Sequence, residues 1–165
     1  MGRMRGWGLL LAVALPLLIF FSWSRLGDEK ARINLERYAA WAGSDAGALM
    51  QPLRTYFLKQ QKPAVAGDLE LPAIPAQAGV KSWALQADST LLVTLDAKVE
   101  GHAVRLRYVP IVRSATGFFY DCVSDTSPVY VGRMCQAEVL KSGGDVAAQL
   151  DANAQVLATL PPVQS

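Results

Sequence analysis

Cys122 and Cys135 are the two cysteines of this 165-residue chain and its most reactive side chains. A structural zinc site needs about four ligands, whereas the chain holds two Cys and one His. A dithiol redox centre has Cys-x-x-Cys spacing, which this pair lacks. The pair therefore indicates a disulfide, which would close a loop of about 14 residues and stabilise the fold by roughly 3 kcal/mol. Such a bond is typical of an oxidising compartment.

His102, the single histidine, is expected in a surface turn with Glu100 and Gly101. No Ser, His and Asp residues form a pattern typical of nucleophilic catalysis, such as a serine on a strand–turn–helix elbow. The stretch GSDAG at residues 43–47 lacks the spacing and the lysine of a phosphate-binding loop. We therefore predict a protein that is not an enzyme, with no catalytic residue, metal, cofactor or small-molecule substrate.

Four arginines form a candidate binding surface. Arg105 and Arg107 alternate along a predicted strand and so share one face, while Arg113 and Arg133 border the disulfide segment. Such a patch can contact a phosphate backbone, although a solvated strand face explains the same pattern and is favoured. The net charge of the chain is only +2, so its composition gives no general signal for nucleic acid.

Residues 6–24 form an apolar run without charges. As a helix this run would be about 28 Å long, close to the roughly 30 Å hydrocarbon core of a bilayer. A membrane anchor and a secretory signal peptide both fit the pattern, and the bulky Phe20, Phe21 and Trp23 near the cleavage region favour the anchor. We predict a cytoplasmic tail over residues 1–5 and a transmembrane anchor over residues 6–24.

The rest of the chain changes from a helical period to a period of two. An approximate apolar stripe over residues 25–63 predicts one long amphipathic helix, bent or broken between Gly43 and Pro52. Residues 64–135 contain a linker and four alternating runs, which predict an antiparallel meander packed on that helix. The predicted strands are Val80–Gln86, Thr90–Ala97, Ala103–Pro110 and Phe118–Cys122. A C-terminal extension, residues 136–165, carries a short predicted helix, and the fold class is α+β.

This order of parts resembles that of the type IV pilins. The stretch VRLRYVPIVRSATGFFYDCVSDTSPVYVGRMC is similar to the pilin ending, where a strand ending in Pro leads through a Gly turn to an aromatic-x-Cys strand and a Tyr-containing loop. The matching residues are Leu106, Pro110, Gly117, Tyr120, Cys122, Tyr130 and Cys135. The resemblance covers about residues 42–135. The chain departs from the pilin pattern in having no Glu within residues 6–24 and in extending past the last Cys.

The resemblance implies a non-catalytic, membrane-anchored pilin-like protein. It would be an accessory or minor component of a type IV pilus or a related secretion machine, with adhesion among its roles. Its partners would be the membrane and other pilin or pilus-assembly subunits. It would be a single-pass protein of the bacterial inner membrane with its globular part in the periplasm. The alternative is an envelope module that binds a ligand or DNA through the arginine patch.

Overall fold

The computed structural model describes residues 29–30, 32–40, 46–131, 135, 140 and 146–161. Helix α1 comprises the helical residues 29–30 and 32–40. The other helices are α2 (Ala46–Gln60), α3 (Pro128–Val131) and α4 (Val146–Thr159). The strands are β1 (Val80–Leu85), β2 (Leu91–Val99), β3 (His102–Val112) and β4 (Phe118–Ser124).

The four strands form one antiparallel sheet in the order β1-β2-β3-β4, as the sequence predicts. Glu100 and Gly101 connect β2 to β3, and both have positive φ. Positive φ at both central residues is the geometry of a type I′ turn, whose twist matches that of the flanking strands. This tight hairpin pairs His102 with Val99 at the end of β2, and Arg105 pairs with Thr94 further back along β2.

One face of the sheet packs on α1 and α2. Alternate residues of β2 and β3 point to this face, because side chains alternate along a strand. The buried core on this side includes Leu35, Leu49, Leu53, Leu91, Val93, Leu95, Val104 and Leu106. The Tyr38 and Tyr108 hydroxyls lie 2.5 Å apart within it, which links α1 to β3. Burial raises the pKa of both tyrosines.

Helix α1 also contacts β2 and the residue that precedes β1. The Asn34 side chain donates a hydrogen bond to the Asp96 carbonyl oxygen. Gly79 has a φ of +65°, and a Cβ there would lie 2.7 Å from the Asn34 carbonyl oxygen. Both the backbone conformation and the close approach therefore require glycine at this position.

Helix α4 covers part of the opposite face. Val109 and Ile111 of β3 point to this face and are buried in a cluster with Leu140. Val146 and Leu150 of α4 pack against the same cluster. Earlier along the same face of β3, Arg105 and Arg107 are exposed. Helix α4 therefore covers only one end of β3 on this face.

The prediction of one long N-terminal helix whose first half spans a membrane is wrong. The described helical residues fall into α1 and α2, and none of the helices among the described residues combines the length and the apolar character needed to cross a membrane. Helix α2 has 15 residues and contains Arg54 and Lys59. It is therefore only about 22 Å long, against roughly 30 Å of hydrocarbon.

The predicted localisation is corrected together with that helix. A single-pass position in the bacterial inner membrane, with a periplasmic head, depended on a membrane-spanning segment, and the described residues contain no helix that meets the requirement. The predicted tail at residues 1–5 and the predicted anchor at residues 6–24 lie outside the described residues.

Candidate functional site

A disulfide joins Cys122 of β4 to Cys135, as the sequence predicts. The two Cα atoms are 5.0 Å apart, within the usual range for this bond. Cys122 is buried on the face of the sheet that packs on α1 and α2, and Cys135 packs against the same core. The bond therefore fixes both ends of the loop between the cysteines, which includes α3, to the core.

Hydrogen bonds hold the start of this loop beside β3. The Ser124 hydroxyl donates to the Arg105 carbonyl oxygen at 2.6 Å, and the Thr126 N–H donates to the Ser124 hydroxyl oxygen at 3.1 Å. The Tyr130 N–H donates to the Ser127 carbonyl oxygen at 2.9 Å. These bonds place Asp125 and Tyr130 near the end of the β2–β3 hairpin.

A cleft of about 300 Å³ lies between the hairpin and the disulfide loop. Its hairpin wall consists of Val99, Glu100, His102, Ala103 and Arg105. Its loop wall consists of Asp125, Thr126, Ser127 and Tyr130. A volume near 300 Å³ is at the small end of the range for ligand pockets in proteins.

The charged groups of this cleft are not paired with one another. Glu100, Arg105 and Asp125 line it and are exposed. Among the described residues, the ion pairs within 4.0 Å join Arg32 to Glu29 and Glu36, and Lys62 to Asp68. The cleft thus presents two carboxylates and one guanidinium that make no ion pair in the part of the chain that the structure describes.

The predicted arginine surface is divided. Arg105 and Arg107 are exposed on the same face of β3, but only Arg105 lines the cleft. Arg113 lies beyond the other end of β3, about 26 Å along the strand from Arg105. Its guanidinium carbon is 5.0 Å from the centre of the Phe119 ring, a cation–π contact. Arg133 lies outside the described residues.

Arg107 has an acidic neighbour at the β1–β2 turn. Burial alone would raise the pKa of the Asp88 carboxyl, but hydrogen bonds from the Thr90 hydroxyl and backbone N–H, together with the charge of Arg107, lower it. The positive charge of Arg107 is thus partly offset by the carboxylate of Asp88. Both arginines are exposed, and of the two only Arg105 lines the cleft.

His102 is the first residue of β3, where it pairs with Val99, rather than part of the turn itself. It is exposed and lines the cleft. In the described part of the chain, no group of three or more His, Cys, Asp or Glu side chains is arranged to hold a metal ion. The charged and hydroxyl-bearing residues that line the cleft make it a candidate for binding through charge and hydrogen bonds.

Sequence reasoning did not identify Asp125 or Glu100 as members of a site. The pairing of β3 with β4 explains why Asp125 lies in the cleft, because Leu106 is opposite Ser124. The same register brings Arg105 beside Asp125, the residue that follows β4. This register depends on the length of the β3–β4 turn, which the alternation within each strand does not give.

Comparisons of this chain with protein-family models, with curated proteins and with solved structures found no match.

Proposed function

We propose that this chain is a non-catalytic, pilin-like subunit that acts through surface contacts. It would be an accessory or minor component of a type IV pilus or of a related secretion machine. The observation that carries the proposal is the Cys122–Cys135 disulfide, which closes a loop directly after the last strand of a helix-backed meander. That order of parts is the one that the pilin resemblance implies for residues 42–135. The proposal concerns the described head alone.

The tip of the disulfide loop offers a contact surface for another subunit. Val129 is 88% exposed and Tyr130 is 44% exposed, and both belong to α3. The disulfide and the Ser124 hydrogen bonds limit the motion of this loop. A preorganised apolar tip loses less conformational entropy on binding than a free loop would. Subunit contact through Val129 and Tyr130 is therefore the mechanism that we assign to the head.

Site-specific photo-crosslinking in the native cells tests this proposal. A benzophenone amino acid replaces Val129 in one variant and the exposed Asp151 of α4 in a matched control. We expect a covalent adduct with a pilin or a pilus-assembly protein from position 129 and none from position 151. We also expect deletion of the gene to reduce the number of pili or the amount of secreted protein. Absence of such an adduct, with unchanged pili and secretion, would refute the proposal.

A binding module for DNA is the second candidate function. It is favoured by one observation, the exposure of Arg105 and Arg107 on the same uncovered face of β3. Two phosphate contacts predict a modest salt dependence, with a slope of about −2 in log affinity against log salt. DNA titration at two salt concentrations, with wild type and with Arg105→Gln plus Arg107→Gln, tests it. Unchanged affinity and slope in the double variant would exclude this candidate.

A further inference from the structure

The cleft between the β2–β3 hairpin and the disulfide loop combines groups of opposite charge that do not neutralise each other. Arg105 and Glu100 belong to the hairpin wall, and Asp125 belongs to the loop wall. In the described residues, none of the three has an ion-pair partner within 4.0 Å. Opposite charges that line one cleft without meeting leave a gap that a ligand can bridge.

The charges also limit which ligand fits. A simple anion at Arg105 would be repelled by the carboxylates of Asp125 and Glu100. A simple cation at those carboxylates would be repelled by the guanidinium. A ligand that carries both charges gains from each group, because opposite charges attract and like charges repel at these short distances. The electrostatics therefore favour a zwitterion over an ion of either sign.

The volume and the remaining lining set the size of the ligand. About 300 Å³ accommodates a molecule of amino-acid or dipeptide size. Val99, Ala103 and Tyr130 are the residues of the lining that can supply apolar surface for its carbon atoms. Thr126 and Ser127 also line the cleft, and a hydroxyl can donate and accept hydrogen bonds. Such a mixture of apolar surface and a few polar groups is usual in small-molecule sites.

We propose that this cleft binds a small zwitterion of amino-acid or dipeptide size. The carboxylate of the ligand lies at Arg105, where the planar guanidinium can donate two parallel hydrogen bonds. Its ammonium group lies at Asp125 and Glu100. The ligand is bound and released without chemical change. This inference is independent of the proposed function, because it requires neither a pilus nor a partner subunit.

The disulfide closes the loop that forms one wall of the cleft. Asp125, Thr126, Ser127 and Tyr130 all lie between Cys122 and Cys135. Binding is therefore expected to require the oxidised protein, and reduction should weaken it even where the sheet remains folded.

An NMR titration of the isotope-labelled full-length chain tests the proposal with alanyl-alanine as the probe. We expect saturable shifts of the cleft residues, with a dissociation constant in the millimolar range, because the charges of the cleft are exposed. The matched neutral probe is N-acetyl-alanyl-alanine amide, which has the same backbone without the two charges. We expect no saturable shifts with the neutral probe.

Four variants locate the site within this titration. Arg105→Gln and Asp125→Asn each remove one charge of the cleft and should weaken alanyl-alanine binding about fivefold or more, the effect of losing about 1 kcal/mol. Arg107→Gln, on the same strand but outside the lining, and Asp151→Asn, on exposed α4, should leave it unchanged. Retained wild-type spectra away from the cleft show that each variant is folded.

Three outcomes would overturn the proposal. Equal binding of the neutral probe would show that the charges are not recognised. Equal binding of acetate alone would show a simple anion site. Absence of saturable shifts with alanyl-alanine, or equal affinities for Arg105→Gln and Arg107→Gln, would show that the cleft is not the site. None of these outcomes bears on the photo-crosslinking test, so the two proposals fail separately.

Discussion

The two ends of strand β3 differ on one face of the sheet. At its start, Arg105 and Arg107 are exposed beside the cleft, whereas Val109 and Ile111 near its end are buried beneath α4. The same alternation of side chains thus gives a charged open end and an apolar covered end. The comparison indicates that the covered end supports the fold, while the open end is free for binding.

The backbone shows the same difference. β2 pairs with β3 only as far as Tyr108, so the following residues of β3 have no strand on that side. The Arg113 N–H donates to Gly117 on the β4 side, and alternation therefore directs Val112 and Pro110 toward the side where β2 has ended.

Asn153 of α4 occupies the place of the missing strand. Its side-chain oxygen accepts from the Val112 N–H at 3.0 Å, and its Nδ2 donates to the Pro110 carbonyl oxygen at 2.6 Å. Gln149 donates a further hydrogen bond to the Asn153 oxygen at 3.0 Å. The buried Asn153 thus satisfies two backbone groups that would otherwise be buried without partners, which is costly.

The largest expected effect is at the same end of β3 but on the other face of the sheet, from Phe57→Ala. Phe57 is fully buried and stacks on Phe118, with ring centres 4.3 Å apart. The cavity left behind should lower the free energy of unfolding by about 4 kcal/mol, measured by chemical denaturation. The neighbouring Leu58 on the same helix is 44% exposed, so Leu58→Ala is the matched control and should cost less than about 1 kcal/mol. Equal effects would contradict the assigned core.

Replacing both cysteines with serine should lower the free energy of unfolding by about 3 kcal/mol, because the unfolded loop regains its freedom. Denaturation of the wild-type protein with and without reductant provides the comparison, and the reduced wild type should match the double variant. Alkylation of native protein followed by mass measurement should find no free thiol at Cys122 or Cys135. Two free thiols would refute the structural basis of the cleft between the hairpin and the disulfide loop.

Asn153→Ala should destabilise the covered end by about 2 kcal/mol, because it leaves the Pro110 carbonyl and the Val112 N–H without partners. Gln155, two positions further along α4, is exposed, and Gln155→Ala should change stability by less than about 0.5 kcal/mol. Hydrogen exchange should show that the Val112 amide becomes less protected in Asn153→Ala. Unchanged protection would mean that α4 does not replace a strand.

The smallest expected effect is at the open end. Arg105→Gln removes an exposed side chain without an ion pair among the described residues, so the denaturation midpoint should shift by less than the equivalent of about 0.5 kcal/mol. A loss of stability as large as that of Asn153→Ala would remove the distinction between the two ends of β3.

The sheet was predictable because its strands carry a clear period of two. Val80, Phe118 and the Glu100–Gly101 turn lie where the sequence predicts them, and the strand ends differ by only a few residues. Thr90 was expected to begin β2, but its hydroxyl and backbone N–H both bond to the Asp88 carboxylate, which keeps it in the turn. The alternation of residues along a strand does not predict such hydrogen bonds between a side chain and its own turn.

The helices were less predictable. An apolar stripe with a helical period continues on both sides of residues 41–45, so the pattern alone predicts one long helix. Pro52 was expected to mark a bend or break, yet it lies inside α2. The role of Asn153 was also not predictable, because it depends on where β2 ends relative to β3. Predicting the cleft requires the β3–β4 register, and the pattern of each strand taken separately does not provide it.

Pro110 has a consequence for how this protein avoids self-association. It lies in β3 at the point where the β2 ladder has ended, and a proline has no N–H to offer a neighbouring strand. A strand from another molecule that approached this short open edge would find one donor missing and the adjacent groups already bonded to Asn153. Edge-to-edge aggregation and strand exchange are therefore disfavoured at this position.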